Sequence, residues 1–188
     1  ICRVEDLALR GPHNVLNVLA ACALCSIVHV GVEAMATIAK TFRGVPHRLE
    51  FIRQVLGAAW YNDSIATTPD RALAAVRSFE EPLVVLLGGR DKELAWDAYA
   101  AEVIKRARAI VLFGEARHML QDVFQTRLKK EDVPELHFVE TFGQAFQTAT
   151  DVVQPGEVVL LSPGCTSFDE FPNFEARGER FKEMVSAL

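Results

Sequence analysis

The sequence predicts an α/β fold, a doubly wound and mostly parallel β-sheet preceded by two helices. The main observation is a set of short, continuous apolar runs at residues 83–87, 110–113 and 158–161, which is typical of strands buried on both faces. Helical patterns separate and follow these runs; the predicted helices span residues 69–79, 96–108, 115–128, 142–153 and 174–187. Strands that alternate with helices are joined by right-handed crossovers, which give a parallel sheet covered by helices on both faces.

Two further helices, at residues 12–29 and 32–42, are predicted ahead of the sheet. The first contains a long apolar run, but Asn17 and His29 interrupt it, so we expect a buried core helix rather than a membrane span. The second helix begins with Glu33 in its first turn and stops at a glycine.

A break at residues 44–46 separates these helices from the rest of the chain. Beyond it, alternation at residues 49–56 and the segment 58–61 predict two neighbouring strands joined by a turn at Gly57. The sequence therefore predicts a boundary that divides the chain into residues 1–43 and 44–188.

Composition narrows the class of protein. The chain has 188 residues, half of them apolar, which is enough for one full domain and a remnant of another. Its net charge of −5 and the lack of a basic cluster with interleaved aromatics argue against a nucleic-acid partner. The start at Ile1, without a signal peptide, suggests a piece of a longer cytoplasmic protein.

The four cysteines are too sparse for a disulfide scaffold. Cys22 and Cys25 share a C-x-x-C spacing, but they lie inside an apolar run with no second pair at metal-binding spacing. We expect small buried helix residues there rather than redox or metal chemistry. Together with Cys2 and Cys165, they suit the reducing cytoplasm.

Polar loops are predicted to follow the carboxyl ends of the strands, where ligands bind in sheets of this class. They are residues 62–69, 88–92, 114–115 and 162–169, three of them rich in groups that hold phosphates and carboxylates. A structural alternative stays open, because such residues also cap helices, as Thr68 before Pro69 is placed to do. Neither a P-loop nor a dinucleotide fingerprint is present, so phosphate chemistry needs parts from elsewhere.

Six motifs, in order along nearly the whole chain, resemble those of Mur ligases. They are LRGPHNVLN at 9–17, GVPHRLE at 44–50, NDSIAT at 62–67, LGGRDK at 87–92, LSPGCTSFD at 161–169 and FPNFEARG at 171–178. Within the family, the third, fourth and fifth motifs are most similar to those of the members that add D-glutamate. Ile65 stands where that motif has Lys, and we expect Lys92 or Arg90 to compensate for the missing cation.

The resemblance implies a three-domain, monomeric cytoplasmic enzyme of peptidoglycan synthesis, a pathway on which cell-wall biogenesis, cell shape and cell division depend. ATP with Mg²⁺ would phosphorylate the carboxylate of UDP-N-acetylmuramoyl-L-alanine, and the amine of D-glutamate would attack the acyl phosphate. This chain would hold the end of the central ATP-binding domain, to about Arg43, and the whole Rossmann-like third domain. Most metal ligands and the P-loop would lie outside it, so the isolated chain is expected to be inactive, with no membrane insertion.

The resemblance also assigns site residues, although none as a catalytic residue or metal ligand. Those expected at ATP are Asn14, Asn17, Arg48 and Asp63; those expected at D-glutamate are Thr67, Lys92, Ser167, Phe168 and Phe174. The chemistry agrees, since a carboxamide pairs with an adenine edge, Arg with phosphate, and Lys or hydroxyl groups with carboxylates. The structural alternatives are that the Asn donates to a carbonyl at the helix end and that the Lys is a solvated surface residue.

Two rival functions remain. A sister ligase or a folylpolyglutamate-type ligase would share Asn14, Arg48 and the fold, whereas the loops at 62–64 and 162–169 favour the D-glutamate branch. A noncatalytic Rossmann-like binding module would need neither the helix at 12–17 nor His47 and Arg48 at a hinge.

Overall fold

The computed structural model describes residues 1–128 and 134–188. The chain divides into two compact units, Ile1–Val45 and Pro46–Leu188. Within the described residues, none of the helices combines the length and the apolar character needed to cross a bilayer.

The first unit contains a 3-10 turn, Val4–Asp6, and two helices, α1 (Pro12–Ile27) and α2 (Val32–Thr41). Proline stands at the start of α1, where its missing N–H costs nothing and its fixed φ favours the helix. The expectation of a buried core helix is wrong for this unit. Of the residues of α1, all of which are described, Asn14 alone is buried, and Leu24 is 67% exposed. Two helices offer too little surface to cover each other fully.

Cys22 and Cys25, expected to be buried, are only half-buried on α1, and both are free thiols.

The second unit is built on a sheet that has six strands among the described residues. The strands are β1 (Glu50–Val55), β2 (Ala58–Asn62), β3 (Leu83–Gly88), β4 (Ala107–Phe113), β5 (Glu135–Phe138) and β6 (Val158–Gly164). Their order is β1-β2-β6-β3-β4-β5; β1 pairs antiparallel with β2, and every other pairing is parallel. This arrangement confirms the predicted mostly parallel sheet.

Helices cover both faces of the sheet. They are α3 (Pro69–Val76), α4 (Asp97–Arg106), α5 (Arg117–Gln125), α6 (Phe142–Val152) and α7 (Phe174–Ser186). Alternate residues of β3 enter different cores: Leu83, Val85 and Leu87 pack with α3, α4 and α5, whereas Val84 and Leu86 pack with α6 and α7. A strand buried on both faces has no polar alternation, which explains the continuous apolar runs.

The capping of the helices differs from expectation at α3. Thr68 is the N-cap residue, but its side chain makes no capping hydrogen bond to the described residues, so the suggestion that its hydroxyl caps α3 is wrong. By contrast, Thr141 at the start of α6 forms a complete capping box with Gln144. Its Oγ1 accepts from the Gln144 N–H at 3.2 Å, and the Gln144 Oε1 accepts from the Thr141 N–H at 3.2 Å.

Candidate functional site

Four loops meet at one edge of the sheet, because β2, β6, β3 and β4 are neighbours that run in the same direction. We call residues 62–69, 88–92, 114–115 and 162–169 the carboxyl rim. Ser162 Oγ donates to Asp63 Oδ2 at 2.9 Å, which joins the loops after β6 and β2. Arg90 and Thr166 exchange backbone hydrogen bonds of 2.9 Å, which joins the loops after β3 and β6. The expected convergence of the loops is therefore present.

Asp63 is a buried carboxylate at this rim, only 4% exposed. Besides the Ser162 hydroxyl, it accepts a hydrogen bond from the Leu49 N–H at 3.1 Å. Burial raises the pKa of Asp63 to about 7, although the two hydrogen bonds and the charges of Arg48 and Arg71 act in the opposite direction. A further cation or hydroxyl donor from a ligand would favour the ionised form.

His47 fixes the segment that begins the second unit. Its backbone has a φ of 64°, and its N–H donates to Glu50 Oε2 at 2.9 Å. The buried ring places Nδ1 3.0 Å from Asn62 Nδ2 and Nε2 3.5 Å from Glu179 Oε1. Arg48, the next residue, is exposed beside the rim, and its charge acts on Asp63.

Lys92 and Thr67 come together from different loops. The exposed Lys92 Nζ donates to the Thr67 Oγ1 at 3.3 Å. A lysine that bonds a neutral hydroxyl keeps its charge available for an anion, so this pair suits a carboxylate ligand. Arg90 is differently placed, since Glu115 holds its guanidinium through two bonds of 2.8 and 2.9 Å. Of the two cations expected to offset Ile65, Lys92 is the one without a carboxylate partner among these contacts.

The remaining residues expected at D-glutamate lie on the loop after β6 and at the start of α7. Ser167 is 2% exposed, whereas Phe168 beside it is 59% exposed. Phe174 is half-buried, and its ring meets the His47 ring edge-on at 6.1 Å between centroids. The Phe174 carbonyl also accepts from Ser64 Oγ at 2.8 Å, which links the start of α7 to the loop after β2.

Asn14 and Asn17 lie on α1 in the first unit. The Asn14 Nδ2 donates to the Arg10 carbonyl at 2.7 Å, so this amide satisfies a carbonyl at the helix start, as in the structural alternative. The Asn17 Nδ2 donates to the Asn14 Oδ1 at 3.2 Å, and Asn17 is exposed. Asn17 is therefore the more available of the two for a ligand.

Arg177 was not singled out from the sequence, yet it joins two of the rim loops. It is fully buried on α7, where its Nε donates to Ser64 Oγ at 3.0 Å. Its Nη2 donates to the carbonyls of Ser64 at 3.0 Å and Cys165 at 3.2 Å. Burial lowers the pKa of Arg177 to about 10. Its place in the motif at 171–178 was the available signal, but spacing alone does not reveal which arginine of a helix is buried.

Gly89 allows this close packing. Its φ is 123°, and a Cβ at this position would lie 2.1 Å from the Thr166 carbonyl oxygen and 3.1 Å from Arg177 Nη1. A side chain at Gly89 would therefore push apart the loops after β3 and β6. The described part of the chain contains no group of three or more His, Cys, Asp or Glu side chains placed to hold a metal ion.

Comparisons with known proteins identify relatives of the chain. Residues 47–165 match the family model described as Mur ligase, glutamate ligase domain. The chain is 42% identical over 190 residues to a UDP-N-acetylmuramoylalanine–D-glutamate ligase of Clostridium novyi, covering 100% of this chain and 41% of the relative. It is 42% identical over 191 residues to the protein of the same name from Clostridium perfringens, with the same coverage. The chain thus spans about two fifths of the length of these relatives.

Solved structures share the fold. UDP-N-acetylmuramate-alanine ligase MurC from Thermotoga maritima has a TM-score of 0.72 at 22% identity, over 96% of this chain and 39% of that one. Folylpolyglutamate synthase from Mycobacterium tuberculosis, complexed with ADP, has a TM-score of 0.68 at 18% identity, over 93% of this chain and 41% of that one. Because the family model covers more than half of the residues, the chain belongs to the Mur ligase family.

Proposed function

We propose that the chain is the C-terminal portion of an ATP-dependent ligase that joins D-glutamate to UDP-N-acetylmuramoyl-L-alanine during cytoplasmic peptidoglycan synthesis. The observation that carries the proposal is the Lys92–Thr67 pair, with Nζ 3.3 Å from Oγ1 at a rim where four loops converge. The names of the relatives, at about 40% identity along the whole chain, support the same substrate.

The reaction passes through an acyl phosphate. The carboxylate of the UDP-linked substrate takes the γ-phosphoryl group of ATP and releases ADP. The deprotonated amine of D-glutamate then attacks the acyl carbon, the carbon–oxygen bond to phosphate breaks, and an amide and inorganic phosphate remain. An acyl phosphate hydrolyses readily, so water must be excluded before it forms. We propose residues 44–47, which belong to neither a helix nor a strand, as the hinge for this closure.

D-glutamate brings two carboxylates, which require cations and hydrogen-bond donors. In our proposal Lys92, Thr67 and Ser167 supply them, together with the backbone of Phe168, and Phe174 forms an apolar wall. The Lys92 contact is charge-assisted, and such bonds contribute about 1.5–3 kcal/mol each. Lys92 is then the main determinant of amino-acid affinity within this chain.

For ATP we propose Arg48 and Asp63 in the second unit and, on α1 of the first unit, Asn17 and Asn14. Arg48 binds phosphate, Asp63 accepts from a ribose hydroxyl, and Asn17 reads the adenine edge, with Asn14 orienting it through the 3.2 Å bond between their amides. Binding of a positively charged or donating group beside Asp63 would lower its raised pKa and ionise it.

Mg²⁺ would accompany ATP and neutralise its phosphates. The described residues of this chain offer no group of carboxylates that would hold the ion by themselves. Its ligands are therefore proposed to come mainly from the remainder of the enzyme, which also supplies the P-loop, so the isolated chain has no turnover. We propose a monomer, as the family resemblance implies.

An amino-acid panel with the full-length enzyme tests the proposed function. Phosphate release is measured with UDP-N-acetylmuramoyl-L-alanine, ATP and, in turn, D-glutamate, L-glutamate, L-alanine and diaminopimelate. We expect D-glutamate to be preferred by kcat/KM. Preference for another amino acid would place the enzyme in a sister branch, and binding without phosphate release would favour a noncatalytic module.

A further inference from the structure

We propose that Trp96 is a positioning residue for Lys92, and that it acts together with Gly164 to set the separation of Lys92 and Thr67. The inference rests on the proposed function, in which this pair holds the amino acid. Trp96 is only 4% exposed and lies immediately before α4, so it does not touch the ligand itself.

One end of the indole controls the segment that carries Lys92. The Trp96 Nε1–H donates to Asp91 Oδ1 at 3.2 Å, while the other oxygen of Asp91 accepts from the Glu93 N–H at 2.7 Å. Glu93 has a φ of 56°, a strained value that the surrounding contacts must maintain. Lys92 therefore lies between Asp91 and Glu93, which are joined by the Asp91 carboxylate. The indole N–H of Trp96 holds that carboxylate in place.

The other end of the indole lies against Gly164 at the end of β6, which is hydrogen-bonded to the segment that carries Thr67. Gly164 has a φ of 64°, and a Cβ there would lie 2.6 Å from Trp96 Cη2 and 3.0 Å from Cζ3. The Gly164 N–H in turn donates to the carbonyl of Ala66, next to Thr67, at 2.8 Å. The ring thus connects Asp91, next to Lys92, with Gly164, which is hydrogen-bonded to Ala66, next to Thr67. The ring packs so closely on Gly164 that even a Cβ would not fit between them.

Phenylalanine at position 96 would remove both contacts of the indole that the inference uses. It would keep an aromatic ring beside Tyr99, whose ring centroid now lies 5.5 Å from that of Trp96. It would lose the bond to Asp91 and the far edge of the indole that lies against Gly164, so the segment around Lys92 would loosen. Displacement of a binding group by about 1 Å is enough to impair a site markedly.

The first test is Trp96→Phe in the full-length enzyme. We expect the KM of the amino acid to rise about fivefold to tenfold, as for loss of about one hydrogen bond, with the KM of ATP nearly unchanged. Trp60→Phe is the matched control. It also removes an indole N–H bond, here 3.3 Å to the Val55 carbonyl, but in the core on the opposite face of the sheet. It should leave both KM values unchanged.

A second pair of variants separates fit from hydrogen bonding. Gly164→Ala should raise the amino-acid KM and lower the Tm, whereas Gly143→Ala, whose Cβ would find its nearest neighbour at 3.9 Å, should do neither. Trp96→Leu removes the clash, so the double variant should lower the Tm by less than the sum of the losses in Gly164→Ala and Trp96→Leu alone. The amino-acid KM should stay high, because Asp91 still lacks its donor.

Two results would overturn the inference: an unchanged amino-acid KM in Trp96→Phe, or equal rises in the KM values of ATP and the amino acid. The assay uses whichever amino acid the wild-type enzyme turns over best. A wild type that prefers a substrate other than D-glutamate would refute the proposed substrate and still leave the role of Trp96 decided by its own variants.

Discussion

Asp63 and Arg177 are charged side chains that the fold removes from water at the carboxyl rim. Arg177 donates hydrogen bonds to one hydroxyl and two carbonyls, which are neutral dipoles rather than a carboxylate. Asp63 accepts hydrogen bonds from one hydroxyl and one backbone N–H. Burial consequently lowers the pKa of Arg177 to about 10 and raises that of Asp63 to about 7. Groups destabilised in this way are typical of sites that a ligand completes.

The raised pKa of Asp63 predicts a dependence of stability on pH. The folded state binds this proton more tightly than the unfolded state, whose Asp titrates near the ordinary value of 3.8. The stability that comes from this difference is fully present below that value and is lost as pH rises towards about 7.

Asp63→Asn removes this titration. We expect the free energy of unfolding, measured by urea denaturation, to fall between about pH 4 and about pH 8 by up to about 4 kcal/mol more in the wild-type chain than in the variant. The estimate uses about 1.4 kcal/mol per pKa unit. Groups other than Asp63 titrate alike in both proteins, so the difference between the curves isolates it. Parallel curves would contradict the assigned burial of this charge.

At the scale of elements, two threonines provide a matched comparison. Thr141 and Thr68 both stand at helix N-caps, but only the Thr141 side chain accepts a capping hydrogen bond in the described structure. Thr141→Ala should lower the free energy of unfolding by about 1 kcal/mol, and Thr68→Ala by much less. Equal losses, measured by chemical denaturation, would show that the capping box of α6 is not formed in solution.

The sequence predicted β3, β4 and β6 well because burial on both faces leaves an uninterrupted apolar signal. It missed β5, Glu135–Phe138, since that strand is short and none of its residues is fully buried. The end of α4 was placed too late, at residue 108, because Arg108 looks like an exposed helix residue. The structure places it in β4, where its guanidinium bonds the Val152 carbonyl and the carboxylate of Glu157.

Some residues of the candidate site could be predicted from the sequence, and others could not. Lys92 and Thr67 could be found because each follows a predicted strand within a recognisable motif. Arg177 and Trp96 could not, because their importance lies in contacts made by folding. Ser64, the partner of Arg177, lies 113 residues away in the chain, and the role of Trp96 depends on the absence of a Cβ at Gly164.

At the scale of the whole molecule, strand order determines which loops share the carboxyl rim. The insertion of β6 between β2 and β3 brings the loop at 162–169 between the loops that carry Thr67 and Lys92. Residues separated by most of the second unit in sequence thereby share one rim. The opposite end of the sheet, where β3, β4 and β6 begin, offers a control lysine within the same unit.

Lys92→Ala in the full-length enzyme tests the central claim most directly. Lys105→Ala is the control, because Lys105 is an exposed residue of α4 that lines a depression beside residues 106–108 and 154–157, away from the rim. Steady-state kinetics should show Lys92→Ala raising the KM of D-glutamate about tenfold to a hundredfold, the equivalent of one charge-assisted bond, with the KM of ATP nearly unchanged. Lys105→Ala should alter neither. Equal rises in the two KM values for Lys92→Ala, or no rise in that of D-glutamate, would contradict the assignment of the rim as the amino-acid site.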